Sequence, residues 1–589
     1  MGPDGDHSNS AVHSGMGGPI GHVLSVRGSE AHIGVPAPWP DETMRATVGK
    51  FLAIKAGPHD LVGMITEVSA RHPAGEVDQQ HRAIARIALM GEIVRGADGV
   101  QAFRRGVSEY PAIGDAADLV SSEHLRLIYT PVGMRTINVG HLSHDSSIPA
   151  HIDVDSLVSK HFAILGSTGV GKSSGVTIIL EEILKARPDL RVFLLDGHNE
   201  YGHSFGDKAN VISPRTLKLP FWLFNFEELT DVIYGGRPAV AEEIEILAEL
   251  IPIAKSAYLQ YKSASDRFGI KKNDPKRTGY TVDTPVPYLL QDLLALIDDR
   301  MGKLENRSSR MNYHRLMMRI ETIKNDPRYA FMFENASVGG DTMVSLLSHL
   351  FRLEPDGKPM TIMQLAGLPV EVVDAVVCVL CRLAFDFGLW SDGAMPLLFV
   401  CEEAHRYAAA DRSIGFGPTR RALARIAKEG RKYGLFLGLV TQRPAELDPT
   451  IISQCSTLFA MRMANDHDQA LLRSAVADAA LNLLDFVPSL GTGEVVGFGE
   501  GMPMPARLTF RTLAQESIPR SDSAVAAAAD SDGRSQHDFI KAVVDRWRGA
   551  SRDDTASAGR EPQPEAPTEQ PGVAISRILD DARMQILKR

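Results

Sequence analysis

The sequence contains little cysteine and no long apolar run, and both absences exclude classes of protein. Four cysteines among 589 residues cannot build a disulfide framework. Cys378 and Cys381 lie at helical spacing in an apolar stretch, without the second pair of ligands that a zinc site needs. No apolar run approaches the ~20 residues of a membrane-spanning helix, and the N-terminal segment lacks the apolar core of a secretory leader. We therefore expect a cytoplasmic protein without membrane contact.

An excess of positive charge is also missing. The chain carries 63 Lys and Arg against 73 Asp and Glu, which gives a net charge of −10. This excludes a protein coated in basic surface. It does not exclude nucleic acid as a partner, because affinity for a polyanion depends on where the positive charges lie and not on their sum.

The most informative motif lies at residues 162–173, which read FAILGSTGVGKS. An apolar strand runs there into Gly-x-x-x-x-Gly-Lys-Ser, the phosphate-binding loop of nucleotide hydrolases. Lys172 can reach the β- and γ-phosphates, Ser173 offers its hydroxyl to Mg²⁺, and the following helix turns its positive end to the anion. We expect ATP and Mg²⁺ as cofactors. The candidate nucleotide-binding residues are Gly166, Ser167, Thr168, Gly169, Val170, Gly171, Lys172, Ser173 and Ser174.

A second motif indicates hydrolysis as well as binding. Residues 396–405 read PLLFVCEEAH, an apolar strand that ends in two carboxylates. A parallel sheet delivers such a strand end to the edge where ligands bind. We assign Glu402 to Mg²⁺ and Glu403 to the attacking water. Such strands more often end in Asp-Glu, so Glu402 is a departure. The alternative interpretation is a strand end with solvated acids.

A third apolar strand, residues 434–440, ends beside Gln442, whose amide can sense the γ-phosphate or help to hold the water. The preceding residues 420–432 are basic and have helical character. Either this segment is an exposed helical face, or one of its arginines crosses a subunit boundary as an arginine finger. The spacing does not choose among Arg425, Arg431 and the other arginines of the segment.

Together these motifs make the chain resemble a known family. VFLLDGHNEYG, LLFVCEEAH and EGRKYGLFLGLVTQRP follow the phosphate loop in the order typical of the HerA family of hexameric DNA-translocating ATPases, relatives of FtsK. The resemblance covers most of residues 18–512. It implies a ring of six subunits with ATP at the interfaces and double-stranded DNA through the pore.

The resemblance also implies roles and partners. Lys172, Ser173, Glu403 and Gln442 would serve the nucleotide within one subunit, and an arginine would come from the neighbouring subunit. Asp196 and Glu200 match an acidic pair of the family, for which the resemblance implies a role near the metal or DNA, and we assign Asp196 to the metal. The implied partner protein is a NurA-like nuclease in DNA-end processing, or a sirtuin-like or other effector in antiphage defence.

The fold class that we predict is α/β: a RecA-like P-loop core with an N-terminal antiparallel β-barrel and an inserted helical bundle. Short alternating runs predict the barrel, and apolar positions at helical spacing predict the bundle. Apolar runs predict strands of the core at 191–195, 361–365, 397–401, 435–440 and 457–461. The predicted divisions are a disordered tail at 1–17, the barrel at 18–140, the first part of the core at 141–236, the bundle at 237–330, the second part of the core at 331–512 and a flexible tail with short helices at 513–589.

Two other functions are compatible with a phosphate loop. The chain could be a scaffold in which ATP holds a ring together and activates an effector without movement along DNA. Alternatively, the loop could belong to a kinase or a transport ATPase. The order of the EEAH, GRKYG and TQRP motifs argues against this last class, and the absence of a segment like LSGGQ argues against a transporter.

Overall fold

The computed structural model describes most of the chain between residues 19 and 520. The described residues are 19–37, 45–70, 82–96, 99–130, 134–265, 279–334, 336, 341–368, 370–413, 415–475 and 482–520, with Lys541 and Val544. The predicted tail at 1–17 lies outside these residues, and so do the predicted C-terminal helices apart from Lys541 and Val544. Two compact units form: a barrel unit of Met1–Leu157, Ile164–Ala186 and Ser456–Thr512, and a parallel-sheet unit of Val158–Ala163, Arg187–Cys455 and Leu513–Arg589.

The first seven strands precede the first helix, and strands and helices are mixed along the chain after residue 120. The strands are β1 Gly21–Arg27, β2 Glu30–Val35, β3 Phe51–Ala56, β4 His59–Ala70, β5 Ala83–Arg95, β6 Gln101–Arg105, β7 Ala116–Leu119, β8 Thr136–Leu142, β9 Asp145–Asp153, β10 Phe162–Leu165, β11 Arg191–Asp196, β12 Ala209–Ile212, β13 Met360–Gln364, β14 Leu397–Cys401, β15 Leu435–Thr441, β16 Thr457–Met461, β17 Glu494–Gly499 and β18 Ala506–Phe510. The α-helices are α1 Ser122–Tyr129, α2 Val154–Ser159, α3 Lys172–Ala186, α4 Phe226–Tyr234, α5 Ala241–Ser265, α6 Leu290–Gly302, α7 Arg307–Lys324, α8 Ala330–Phe333, α9 Met343–Phe351, α10 Val370–Trp390, α11 Ala404–Tyr407, α12 Gly417–Glu429, α13 Pro449–Ile452 and α14 Asp466–Ala475.

The first strands of the barrel unit close into a six-stranded antiparallel barrel in the order β2-β1-β7-β3-β4-β5. Pairing of β2 with β5, from Glu30 opposite Ala88 to Val35 opposite Ala83, completes the circle. Side chains that alternate along the strands fill the interior, among them Val23, which is 1% exposed. The predicted N-terminal barrel is therefore confirmed. β6 pairs with β5 as an additional strand.

The same unit contains an antiparallel ladder in the order β16-β17-β18-β8-β9. Thr457 lies opposite Gly499 in the first pair, and Leu508 lies opposite Leu142 where the last strands meet the early ones. The sequence analysis identified β16 but assigned no strands to the residues of β17 and β18. The ladder is relevant to function because the phosphate loop is anchored on β16 and on the residues before β17.

The parallel-sheet unit has a parallel sheet in the order β12-β13-β11-β14-β15. β11, β13 and β14 are buried along almost their whole length, as expected for parallel strands covered by helices. Phe193 of β11 and Phe399 of β14 stack with their ring centroids 5.3 Å apart. The predicted strands at 191–195, 361–365, 397–401 and 435–440 are all present, and the α/β class is confirmed.

Three helices of this unit, α5, α6 and α7, come after β12 and before β13 along the chain. They pack against one another. Their contacts bury apolar side chains such as Leu247, Ile297 and Ile320. The inserted helical bundle is therefore present, whereas its exact boundaries at 237 and 330 stay a prediction. Within the residues that the structure describes, no helix is long and apolar enough to span a membrane.

One buried ion pair joins α4 to α10. Glu228 is fully buried and forms a capping box with Asn225, each backbone N–H donating to the other side chain at 2.8 Å. The same carboxylate accepts hydrogen bonds from Arg382 Nε at 3.0 Å and Nη2 at 2.9 Å, and from Cys378 Sγ at 3.3 Å. Because Glu228 lies where water does not reach, its charge depends on Arg382 for stabilisation.

We predict that Glu228→Gln lowers the free energy of unfolding of this unit by about 1.5–3 kcal/mol, since the hydrogen bonds from Arg382 lose their ionised acceptor and only Asp386, whose Oδ2 lies 3.6 Å from Nη1, remains as its counter-charge. The adjacent Glu227→Gln is a matched control. Glu227 pairs with Arg421 at the surface, where the side chains are 58% and 62% exposed, and such pairs contribute about 0–1 kcal/mol. Thermal unfolding, monitored by hydrogen exchange of α4 and α10, measures the stability of both variants. Equal effects of the two substitutions would contradict the prediction.

Candidate functional site

The phosphate loop connects β10 to α3 and depends on glycine at three positions. Gly169 and Gly171 have φ of 75° and 96°, the left-handed region that favours glycine. At Gly166 the reason is packing, because a Cβ there would lie 2.7 Å from Cβ of Met461. The loop therefore needs glycine at both ends of its motif, as the sequence pattern requires.

Hydrogen bonds fix the ends of this loop and leave its tip exposed. Ser167 donates from its backbone N–H and from Oγ to the Arg462 carbonyl, at 3.0 and 2.9 Å. Gly493 N–H donates to the Val170 carbonyl at 2.9 Å, and Lys172 Nζ donates to the Ser167 carbonyl at 2.8 Å. Thr168 and Gly169 form the exposed tip, and Ser173 and Ser174 are half-buried in the first turn of α3. The first turn of a helix presents free N–H groups to an anion.

The acidic residues lie in the parallel-sheet unit, at the ends of two neighbouring strands. The register pairs Leu195 of β11 with Cys401 of β14, so Asp196 and Glu402 both come directly after that pair. Asp196 is fully buried, and Glu402 and Glu403 are 5% and 6% exposed. The parallel topology therefore brings Asp196 together with Glu402 and Glu403, which lie about 200 residues later in the sequence.

Asp196 and Glu402 are both held by the segment that follows β11. Asp196 accepts the backbone N–H groups of Glu200 and Tyr201, each at 3.0 Å. Glu402 accepts the Gly197 N–H at 3.2 Å and the Tyr201 hydroxyl at 3.1 Å. Burial raises the pKa of Asp196. Burial, followed by the charge of Asp196, raises the pKa of Glu402 well above its ordinary value.

The hydrogen bonds that Asp196 and Glu402 already accept limit how these carboxylates would hold Mg²⁺. Each carboxylate oxygen of Asp196 and Glu402 already accepts one hydrogen bond, and each keeps a second lone pair. Mg²⁺ usually retains several of its waters in proteins. The residues fit the ion as acceptors for metal-bound water, which is a more restricted role than direct coordination.

Glu403 differs from its two neighbours. Its backbone has φ of 50°, in the left-handed region, and it directly precedes α11. Its Oε1 lies 3.5 Å from His198 Nε2, and its Oε2 lies 3.2 Å from His405 Nδ1. Oε2 is buried and receives no hydrogen bond from any residue that the structure describes. A buried carboxylate oxygen with free accepting capacity is suited to take a proton from water.

The remaining candidates lie after or before β15, in the same unit as Glu403. Gln442 is half-buried and follows Thr441, the last residue of β15. Arg425 of α12 has its guanidinium carbon 3.9 Å from the centroid of the Phe385 ring. Arg431, in the 3₁₀ turn after α12, is exposed and makes no hydrogen bond or ion pair within the described part of the chain.

Sequence reasoning missed the polar residues that surround the acids. Tyr201, His198 and His405 all contact the acidic residues. Each lies inside a motif that carried the resemblance, HNEYG or EEAH, yet only the carboxylates of those motifs received roles. The signal was a polar or aromatic residue within five positions of an assigned acid. Its meaning depends on side-chain direction, which the sequence does not give.

Comparisons with known proteins agree with the motifs. A family model described as "Helicase HerA, central domain" matches residues 137–384. A probable helicase of Methanocaldococcus jannaschii is 27% identical over 405 residues, which cover 64% of this chain and 70% of that protein. The DNA double-strand break repair helicase HerA of Pyrococcus furiosus is 27% identical over 425 residues, 67% of this chain and 72% of that protein.

Among solved structures, VirB4 of Thermoanaerobacter pseudethanolicus is similar with 14% identity and a TM-score of 0.46, over 65% of this chain and 97% of that one. The motif order along the chain, the match of residues 137–384 to the HerA family model and the likeness to HerA helicases over two thirds of the sequence all indicate similarity to the HerA family of ATPases.

Proposed function

We propose that the chain is an ATP-driven motor that moves along double-stranded DNA as a homo-hexamer. The observation that carries the proposal is Glu403, a buried carboxylate whose Oε2 has no hydrogen-bond donor among the described residues. Binding of nucleotide alone does not require such a group. A base that is held ready for a water molecule is required for hydrolysis.

Each candidate side chain has a role in this proposal. Lys172 and the backbone N–H groups of Gly166–Gly171 neutralise the phosphates. Mg²⁺, held by the Ser173 hydroxyl and through water by Glu402 and Asp196, supplies charge neutralisation when it is bound. Glu403 orients the attacking water and takes its proton. Gln442 contacts the γ-phosphate or that water.

The neighbouring subunit supplies a cation in this proposal, and the structure favours Arg431 over Arg425 for it. Arg425 has its guanidinium on the Phe385 ring of its own subunit, and for an exposed cation such stacking contributes about 0.5–1 kcal/mol. Movement of Arg425 to another subunit would lose that contact. Arg431 is exposed and keeps its full capacity for a phosphate.

DNA as the substrate is supported by the names of the relatives, which include DNA double-strand break repair helicases. It is also supported by exposed cations around α12, such as Arg412, Lys428 and Lys432, since repetition in a ring concentrates positive charge. The partner that we propose is an effector protein, a NurA-like nuclease or a sirtuin-like or other defence enzyme. The same ring would be an ATP-gated scaffold if it activated that effector without using DNA.

We predict that Lys172→Ala lowers kcat for ATP hydrolysis by at least ~10²-fold, because it removes the charge that meets the β- and γ-phosphates. Lys185→Ala is the matched control. Lys185 lies at the other end of α3, is 53% exposed and pairs with Glu182, so its loss should leave kcat within ~2-fold. Steady-state hydrolysis and binding of a fluorescent ATP analogue measure the two variants, and equal activities would contradict the assignment.

We predict that blunt linear double-stranded DNA stimulates hydrolysis by the purified chain and that Glu403→Gln lowers kcat by roughly 10²–10⁴-fold with or without DNA. Because Gln is nearly isosteric, ATP should still bind. If Glu403→Gln hydrolyses ATP at the wild-type rate, Glu403 is not the base. If the wild-type rate is indifferent to DNA and rises with an effector, the scaffold function replaces the motor.

We predict that Arg431→Ala lowers kcat by roughly 10³-fold, the effect expected for an arginine finger, whereas Arg425→Ala and Lys428→Ala lower it by less than ~10-fold. A mixture of Arg431→Ala and Glu403→Gln subunits should regain part of the activity, because some interfaces then contain an intact arginine and an intact base. If the mixed rings stay as inactive as either parent, Arg431 does not act between subunits.

A further inference from the structure

The surroundings of Glu403 contain a residue to which neither the sequence motifs nor the nucleotide chemistry has given a role. His405 lies two residues after Glu403 in α11, and its side chain is only 10% exposed. Its Nδ1 has two polar neighbours: Oε2 of Glu403 at 3.2 Å and Oγ1 of Thr441 at 3.0 Å. One ring nitrogen therefore faces both the base and the end of β15.

The chemistry of these neighbours determines whether Nδ1 of His405 carries the proton of the ring. An ionised carboxylate only accepts hydrogen bonds, so Nδ1 without a proton would place a lone pair against Oε2. Burial lowers the pKa of His405, and a neutral imidazole has one N–H. With that proton on Nδ1, both contacts are favourable, but the N–H can point at only one acceptor at a time.

The observed geometry corresponds to one of these two arrangements. The contact with Thr441 has the geometry of a hydrogen bond, whereas Oε2 of Glu403 has no hydrogen-bond donor among the residues that the structure describes. Thr441 is fully buried, and its Oγ1 also accepts the backbone N–H of Arg443 at 3.1 Å. The hydroxyl is thus fixed by the segment that carries Gln442.

We propose that His405 is a positioning residue for Glu403, and that its Nδ1 proton is shared between Glu403 and Thr441. When Nδ1–H is on Thr441, Oε2 of Glu403 keeps its full basicity toward water. When Nδ1–H turns to Oε2, the carboxylate is held in place and is a weaker base. The segment after β15 therefore acts on hydrolysis through Thr441 and His405. This inference rests on Glu403 being the base in the proposed function.

The other histidine beside Glu403 provides a contrast. His198 Nε2 lies 3.5 Å from Oε1, and its side chain is 48% exposed. At that distance and exposure an imidazole contributes little to the position of a carboxylate. His198→Ala is therefore the matched control for a change at His405.

The test distinguishes the contribution of the Nδ1–H group to kcat from that of the rest of the His405 ring. Asn at position 405 places an N–H donor near the Nδ1 position, and Gln places one near the Nε2 position. We expect His405→Ala and His405→Gln to lower kcat for ATP hydrolysis by roughly 10–100-fold, below the range for loss of a general base itself. His405→Asn should stay within ~5-fold of wild type. The Kd for a fluorescent ATP analogue should change by less than ~2-fold in all three, since His405 has no role in binding.

Thr441→Val completes the test as a double-mutant cycle. Removal of Oγ1 leaves Nδ1–H with Glu403 alone, so kcat should fall, and the Thr441→Val change should have no further effect in a His405→Ala background. Wild-type kcat in His405→Ala, a His405→Asn variant as slow as His405→Gln, additive effects of the two changes, or parallel losses of kcat and ATP affinity would each overturn the inference.

Failure of this inference and failure of the proposed function give different results. If Glu403→Gln hydrolyses ATP normally, the base assignment is wrong and the proposed function fails with it. If Glu403→Gln is inactive while His405→Ala and His198→Ala both hydrolyse ATP like wild type, only the role of His405 is wrong. Thermal unfolding of each variant shows that the comparison is between folded proteins.

Discussion

Burial of carboxylates at the ends of β11 and β14 is the constraint on which the candidate site depends. A carboxylate without water needs hydrogen-bond donors or a counter-charge, because removal of its hydration costs several kcal/mol. The chain supplies donors from the turn after β11, where Gly197 and Tyr201 bind Glu402 and the N–H groups of Glu200 and Tyr201 bind Asp196. The turn is therefore organised by the acids that it holds.

Glu403 differs from Asp196 and Glu402 in its neighbours, and this difference gives it a different chemistry. Its neighbours are two imidazoles at 3.5 and 3.2 Å, and one of its oxygens has no donor among the residues that the structure describes. The positive φ at this residue costs about 1 kcal/mol or more for a side chain other than glycine. Strain of this kind occurs at functional sites, where surrounding structure compensates for it.

Different physical reasons made some features predictable from sequence and others not. The strands β11, β13, β14 and β15 were predictable because a parallel strand covered on both sides is apolar throughout and ends at a change to polar residues. The phosphate loop was predictable because Gly169 and Gly171 meet a local requirement, their positive φ. The packing of Gly166 against Met461, by contrast, involves a strand that is distant in sequence. The strand β17 was missed because glycine occupies two of its six positions, and β18 was missed because a run of five alternating residues is short.

The sequence by itself determined the α/β class, the barrel, the helical insertion, the phosphate loop and the two glutamates, since each follows from residue order and local periodicity. Only the tertiary structure decided that Asp196, Glu402 and Glu403 lie together, that Arg425 stacks on Phe385 while Arg431 stays exposed, and that His405 stands between Glu403 and Thr441. These features depend on sheet register and on side-chain direction. Both are settled by packing between segments that are up to about 200 residues apart, and a local pattern carries no information about them.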